Sequence, residues 1–170
     1  MKKLIVLLIS SVLIANVSKA QESNVFLEYS MLEVEYLDLM GGLESENIHS
    51  YVMGLNTTLN LSKGIDLVGA VGISEGFDYR FASTSLAFKL SSNFSLNLGC
   101  GLYMIDDKRW NPQGLEGQDP SSNDLGLNLG LTCQLTDKLG VSVKYNIIEP
   151  KEEGIGSMSI NGLSFGIILQ

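Results

Sequence analysis

Three short polar turns set the frame of this chain: Leu61-Ser62-Lys63-Gly64-Ile65, Leu90-Ser91-Ser92-Asn93-Phe94 and Leu135-Thr136-Asp137-Lys138-Leu139. Each joins two segments in which apolar and polar residues strictly alternate. Period two is the mark of a strand with two unlike faces. After the first turn, Ile65, Leu67, Gly69, Val71 and Ile73 alternate with Asp66, Val68, Ala70 and Gly72. Beyond the second, Phe94, Leu96, Leu98, Cys100, Leu102 and Met104 oppose Ser95, Asn97, Gly99, Gly101 and Tyr103. Leu125, Leu127, Leu129, Leu131, Cys133 and Leu135 lead into the third turn, with Gly126, Asn128, Gly130, Thr132 and Gln134 on the reverse face.

The other segments follow the same rule. Tyr51, Met53, Leu55 and Leu59 share one face before the first turn, and Thr84, Leu86 and Phe88 do so before the second, opposite Ser83, Ser85, Ala87 and Lys89. Val141, Val143, Tyr145 and Ile147 follow the third turn, and the last segment closes on Leu163, Phe165, Ile167 and Leu169. The first segment is irregular: Leu27, Tyr29 and Met31 keep one phase, Leu32, Val34 and Tyr36 the other. A bulge near Met31 reconciles them and turns Glu28, Glu33 and Glu35 all to the polar face.

Eight strands of about the length a tilted strand needs to cross a bilayer (~9–11 residues) predict a closed eight-stranded antiparallel up-and-down transmembrane β-barrel. A soluble sandwich needs a bulky, varied buried face and a charged exposed one. Here the polar faces are small and nearly uncharged, as the crowded lumen of a narrow barrel requires. Four longer connections, roughly Asp38–His49, Ser74–Arg80, Ile105–Asp124 and Ile148–Ser157, then lie at the end opposite the three turns. Tyr36, Tyr51, Tyr79, Phe81, Tyr103 and Trp110 fall near that loop end, and Phe88, Phe94 and Phe165 near the turn end, as two aromatic girdles do.

Before the strands, Lys2 and Lys3 precede an apolar run from Leu4 to Ala15, and Ser18-Lys19-Ala20 supplies small residues at a cleavage site. Residues 1–20 therefore read as a cleavable signal peptide and 21–170 as one barrel domain. Removing the three leader lysines leaves eight basic residues against nineteen acidic, a mature balance near −11. So acidic a surface repels phosphate backbones, which argues against a nucleic-acid partner.

A leader, eight alternating segments, three tight turns and four longer loops in about 150 mature residues resemble the small outer-membrane barrels. The OmpA transmembrane domain and OmpX are their best-known members. The resemblance is architectural and implies an outer-membrane location, monomeric barrels among lipid and lipopolysaccharide, and assembly by the barrel insertion machinery. Such barrels usually end in an aromatic residue, whereas this chain ends Phe165-Gly166-Ile167-Ile168-Leu169-Gln170.

Three features bear on chemistry. His49 is the only histidine, beside Ser50; neighbours on a strand point to opposite faces, so no Ser–His pair and no enzyme is expected. Asp106, Asp107, Glu116, Asp119 and Asp124 share one loop and Glu149, Glu152 and Glu153 another. Without the spacing of a calcium loop they read as solvated charge, so neither metal nor cofactor is expected. Glu28, Glu33, Glu35, Asp66, Lys89 and Lys144 are placed in the lumen, where charges should pair and form a plug rather than an open pore. Cys100 and Cys133 lie on the apolar faces of neighbouring segments, either as a cross-strand disulfide or as two membrane-facing thiols.

Overall fold

The computed structural model describes residues 22–37, 43–106, 121–148 and 159–170. These form eight strands: β1 (Glu22–Leu37), β2 (Leu43–Ser62), β3 (Ile65–Glu75), β4 (Tyr79–Lys89), β5 (Phe94–Asp106), β6 (Ser121–Thr136), β7 (Leu139–Ile148) and β8 (Ser159–Leu169). Each pairs antiparallel with its sequence neighbours, and β1 pairs with β8 to close the barrel. Closure removes both sheet edges, so every strand finds partners on either side. The leader and most residues of the two acidic loops lie outside the described residues.

The turns explain the connectivity. Lys63-Gly64 reverses the chain with Gly64 at φ 105°, a left-handed conformation that favours glycine. In the second turn the Ser91 hydroxyl accepts hydrogen bonds from the backbone N–H groups of Asn93 (3.2 Å) and Phe94 (3.1 Å). In the third, the Lys138 N–H donates to the Thr136 hydroxyl at 3.2 Å. At the other end Gly76, at φ 103°, opens the short connection through Phe77 and Asp78.

Alternation sorts the side chains. The outward rows carry Tyr51 at 67% exposure and Leu127 at 61%, with Leu55, Phe94, Leu131 and Ile167 also open. Apolar exposure continuous around a closed sheet, far beyond the few hundred Å² a soluble monomer tolerates, fits lipid contact. Its upper limit is marked by Glu33, Asn47, Glu75 and Arg80, and its lower by Lys63 and Lys138. Inward rows hold the buried residues, among them Ser30, Ile105 and Ile160 at 0% exposure.

The bulge expected near Met31 is absent. β1 runs in unbroken register against β2 from Glu22 to Leu37 and against β8 from Val25 to Glu35. Closure on two sides fixes one phase for the whole strand. Leu32 and Val34 therefore point inward and are buried, whereas Glu33 faces outward and is exposed. What reads in the sequence as a phase slip is the point where the outward row leaves the lipid belt and the inward row enters an apolar core.

Candidate functional site: a lumen of two halves

The loop-end half of the lumen is packed. Leu32, Val34, Ile48, Val52, Ile105, Ile148 and Ile160 form one buried cluster with Phe26, Phe77, Tyr79, Phe81 and Tyr103. The rings make a column. Phe77 descends from the β3–β4 connection to lie 6.0 Å from Tyr79, and Tyr79 stands 6.0 Å from Tyr103. Phe81 and Tyr103 stack at 5.7 Å with an interplanar angle of 22°, and Phe26 follows 6.2 Å from Phe81. Ring pairs at such separations add about 0.5–1.5 kcal/mol each beyond the area they bury.

Glycines make this column fit. A Cβ on Gly72 would meet the Phe81 ring at 2.6 Å, and one on Gly126 the Tyr103 ring at 2.7 Å. Gly54 lies in the same way beneath the Phe26 ring. In sequence these glycines look like an undemanding polar face; in space they are sockets for large side chains on adjoining strands.

The turn-end half is polar and open. Its cavity of about 580 Å³ is lined by Asn24, Asn56, Asn97, Asn128, Thr132 and Ser142 among others. Asn24 donates to the Asn56 side-chain oxygen at 3.0 Å, and Asn97 to the Thr132 hydroxyl at 2.8 Å. Serines also pair inside the lumen: Ser30 and Ser164 bond at 2.7 Å, Asn146 donates to Ser164 at 3.0 Å, and Ser50 bonds Ser74.

Four of the six expected lumen charges are brought together as two pairs. Lys144 contacts Glu28, whose side chain is 6% exposed, and its ammonium lies 5.2 Å from the Phe26 ring centre. Lys89 reaches Asp66 at 2.9 Å, and Asn60 donates to the same carboxylate at 2.9 Å. Glu33 and Glu35 are not in the lumen: they stand on the outward row, where Ser159 donates to Glu35 at 3.1 Å. The register set by closure on β2 and β8 holds both carboxylates on that face.

His49 and Ser50 diverge. His49 sits within β2 rather than in a loop, faces outward, stacks on Tyr29 at 5.7 Å and shares a 2.7 Å hydrogen bond with the Tyr29 hydroxyl. Ser50 is fully buried against Ser74. Tyr79, Phe81 and Tyr103 face the lumen rather than a lipid interface, so the loop-end girdle at the described positions consists of Tyr29, His49 and Tyr51. Trp110 lies outside the described residues. The cysteines are free thiols: Cys100 pairs with Leu127 and Cys133 with Phe94, six positions apart along the β5–β6 ladder. At ~3.3 Å per residue that is about 20 Å, beyond any disulfide.

Gln170 has a place of its own. Its N–H donates to the Lys138 carbonyl at 3.1 Å, and its side-chain oxygen accepts from Gln134 at 3.0 Å. The last residue of the chain is thereby tied to the β6–β7 turn, at the mouth of the polar cavity.

No protein-family model matches the chain, and no curated protein matches it. Solved structures do match. Ail, the attachment invasion locus protein of Yersinia pestis, is similar with a TM-score of 0.51 and 14% identity, over 86% of this chain and 96% of that one. Neisserial surface protein A aligns at 0.48 and 15% identity, over 88% and 99%. The N-terminal β-barrel domain of Pseudomonas aeruginosa OprF aligns at 0.46 and 12%, over 87% and 100%. At such identity the likeness is one of fold: the chain has the architecture of the small eight-stranded outer-membrane barrels.

Proposed function

We propose that this chain is a non-enzymatic barrel of a bacterial outer membrane, exported by the leader at 1–20, which presents acidic loops outside the cell on a closed scaffold. The packed loop-end half of the lumen carries the reading. A conducting pore needs a continuous aqueous path, and here Phe77, Ile105 and Ile160, none more than 2% exposed, fill one end.

Other observations agree. The apolar belt suits lipid contact, and the short-turn end faces the periplasm in barrels of this kind. The described part of the opposite rim carries exposed Glu33, Glu44, Glu46, Glu75 and Asp78 with Arg80 as its cation, and the sequence adds the acidic residues at 106–119 and 149–153. A surface of this sign meets lipopolysaccharide phosphates through divalent cations rather than directly. His49, held by Tyr29 and turned away from Ser50, leaves no base for a hydrolytic nucleophile at that position.

Single-channel recording in planar bilayers tests the closed lumen: purified barrel should give no steady conductance steps. Reproducible steps would overturn the closed scaffold in favour of a narrow pore. Outer-membrane fractions should contain the chain as a heat-modifiable, protease-resistant band; recovery as a soluble periplasmic protein would sink the membrane assignment.

A further inference from the structure

The strands of this barrel differ in height, and the difference leaves an edge. β2 pairs with β1 from Thr58 up to Leu43, whereas its ladder with β3 ends at Tyr51, opposite Glu75. The short connection through Gly76, Phe77 and Asp78 turns the chain back at that level, while β2 continues upward. Among the described residues, no other strand pairs with residues 43–48 on that side. At ~3.3 Å per residue this edge is about 20 Å long.

The direction of its backbone groups follows from parity. The carbonyls of Met53 and His49 both point to the β3 side: a Cβ on Gly72 would meet the first at 3.2 Å, and one on Gly76 the second at 2.6 Å. Alternate residues of a strand aim their N–H and C=O groups the same way, so those of Asn47 and Ser45 are aimed at the open side. Ser45, Glu46 and Asn47 are all exposed, which covers both faces of the strand. Such an edge is commonly guarded by lysine, proline or a bulge. Residues 43–48 contain neither lysine nor proline, and their register with β1 is unbroken. An unguarded edge admits one more strand.

Charge selects the occupant. An added strand lies opposite Glu46 on one face, and Glu33 and Glu35 stand beyond Asn47 and Ser45 on the other. Glu75 lies at the foot of the edge. Lysine or arginine at alternate positions meets these carboxylates, because opposite charges across a ladder attract and like charges repel. A second copy of this chain would set its own Glu46 against them. We propose that residues 43–48 of β2 bind an extended, basic segment of another protein by strand addition, with Ser45 and Asn47 supplying backbone hydrogen bonds and Glu46 the charge. The loop end must face outward for such a partner to reach it in a cell, as the proposed function has it, but the edge exists whether or not the lumen is sealed.

The probe is a short peptide alternating Lys and Thr, added to the full barrel in phosphatidylcholine nanodiscs, with empty discs as background. NMR should show new protection from hydrogen exchange at the Ser45 and Asn47 amides and none gained at Glu46, whose N–H faces β1. The same peptide N-methylated along its backbone keeps its charge but cannot donate to the edge, and should bind about tenfold more weakly or worse. Asn47→Pro removes an edge-facing N–H, leaves the ladder to β1 whole and should weaken binding by a similar factor while keeping the heat-modifiable gel shift. A peptide alternating Glu and Thr should not bind. Absence of protection, equal binding of the methylated or the acidic peptide, or undiminished binding to folded Asn47→Pro overturns the proposal. If Asn47→Pro does not fold, the methylated peptide on the wild-type barrel decides. Protection of Ser45 and Asn47 before any peptide is added also overturns it, through self-pairing where the disc holds two barrels and through cover by the chain's own loops where it holds one.

Discussion

The two halves of the lumen are built from the same eight strands in the same alternating register, yet they are stabilised differently. The loop-end half is an aromatic and aliphatic core in which Phe77, Tyr79, Phe81 and Tyr103 interlock over glycine sockets. The turn-end half keeps a cavity, two ion pairs and a mesh of amides. Packing is cooperative and intolerant of gaps, whereas a solvated polar mesh re-forms with water when one member is lost. The difference teaches that a barrel this narrow need be closed at only one level, which leaves the rest of its interior free for polar chemistry.

Truncation of the column should do the greatest damage. Phe81→Ala removes the ring that touches Phe26, Tyr79 and Tyr103, and should cost about 3–5 kcal/mol in urea unfolding followed by the gel shift. Combined replacement of Phe77, Tyr79 and Tyr103 by Ala should also open steady conductance, while Ser83→Ala with Ser85→Ala in the turn-end half should not. Equal conductance in both sets would erase the contrast between the halves.

Lys144→Met comes next. It strands the Glu28 carboxylate in a buried site and removes the cation from the Phe26 ring, for an expected loss of about 3 kcal/mol. Adding Glu28→Leu should restore most of it, because the stranded charge is then gone; a double variant as weak as the single would show that the pair is not the cause. Lys89→Met should cost about 1 kcal/mol or less, since the Lys89 side chain is 43% exposed and Asp66 retains the Asn60 bond. Smallest of all, Gln170→Ala removes exposed hydrogen bonds to the β6–β7 turn and should shift the urea midpoint only slightly, by about 0.5 kcal/mol. A large loss there would give the chain terminus a structural weight that its exposure does not predict.

Much of this was legible from residue order. Alternation from Leu96 to Met104 and from Leu125 to Leu135 marks the outward face, because a strand between lipid and lumen admits no other arrangement. The direction of Lys89 and Lys144 followed from the same parity. The pairing of Lys144 with Glu28 did not, because those residues meet only when β8 brings β7 against β1 through Ser142, Gly166 and Glu28 in one row. Phe81 and Tyr103 carried an inward parity, but an aromatic near a strand end reads equally well as a girdle.

By itself, then, the sequence determined the eight strands, their turns, the lipid-facing rows and the acidity of the loop end, all of which depend on local chain geometry and the identity of near neighbours. Tertiary structure alone decided the phase of β1, the exclusion of Glu33 and Glu35 from the lumen, the separation of Cys100 from Cys133, and the division of the lumen into a packed half and an open one. Each of these depends on closure: only when β1 meets β8 is every register fixed, and only then do side chains distant in sequence share one interior.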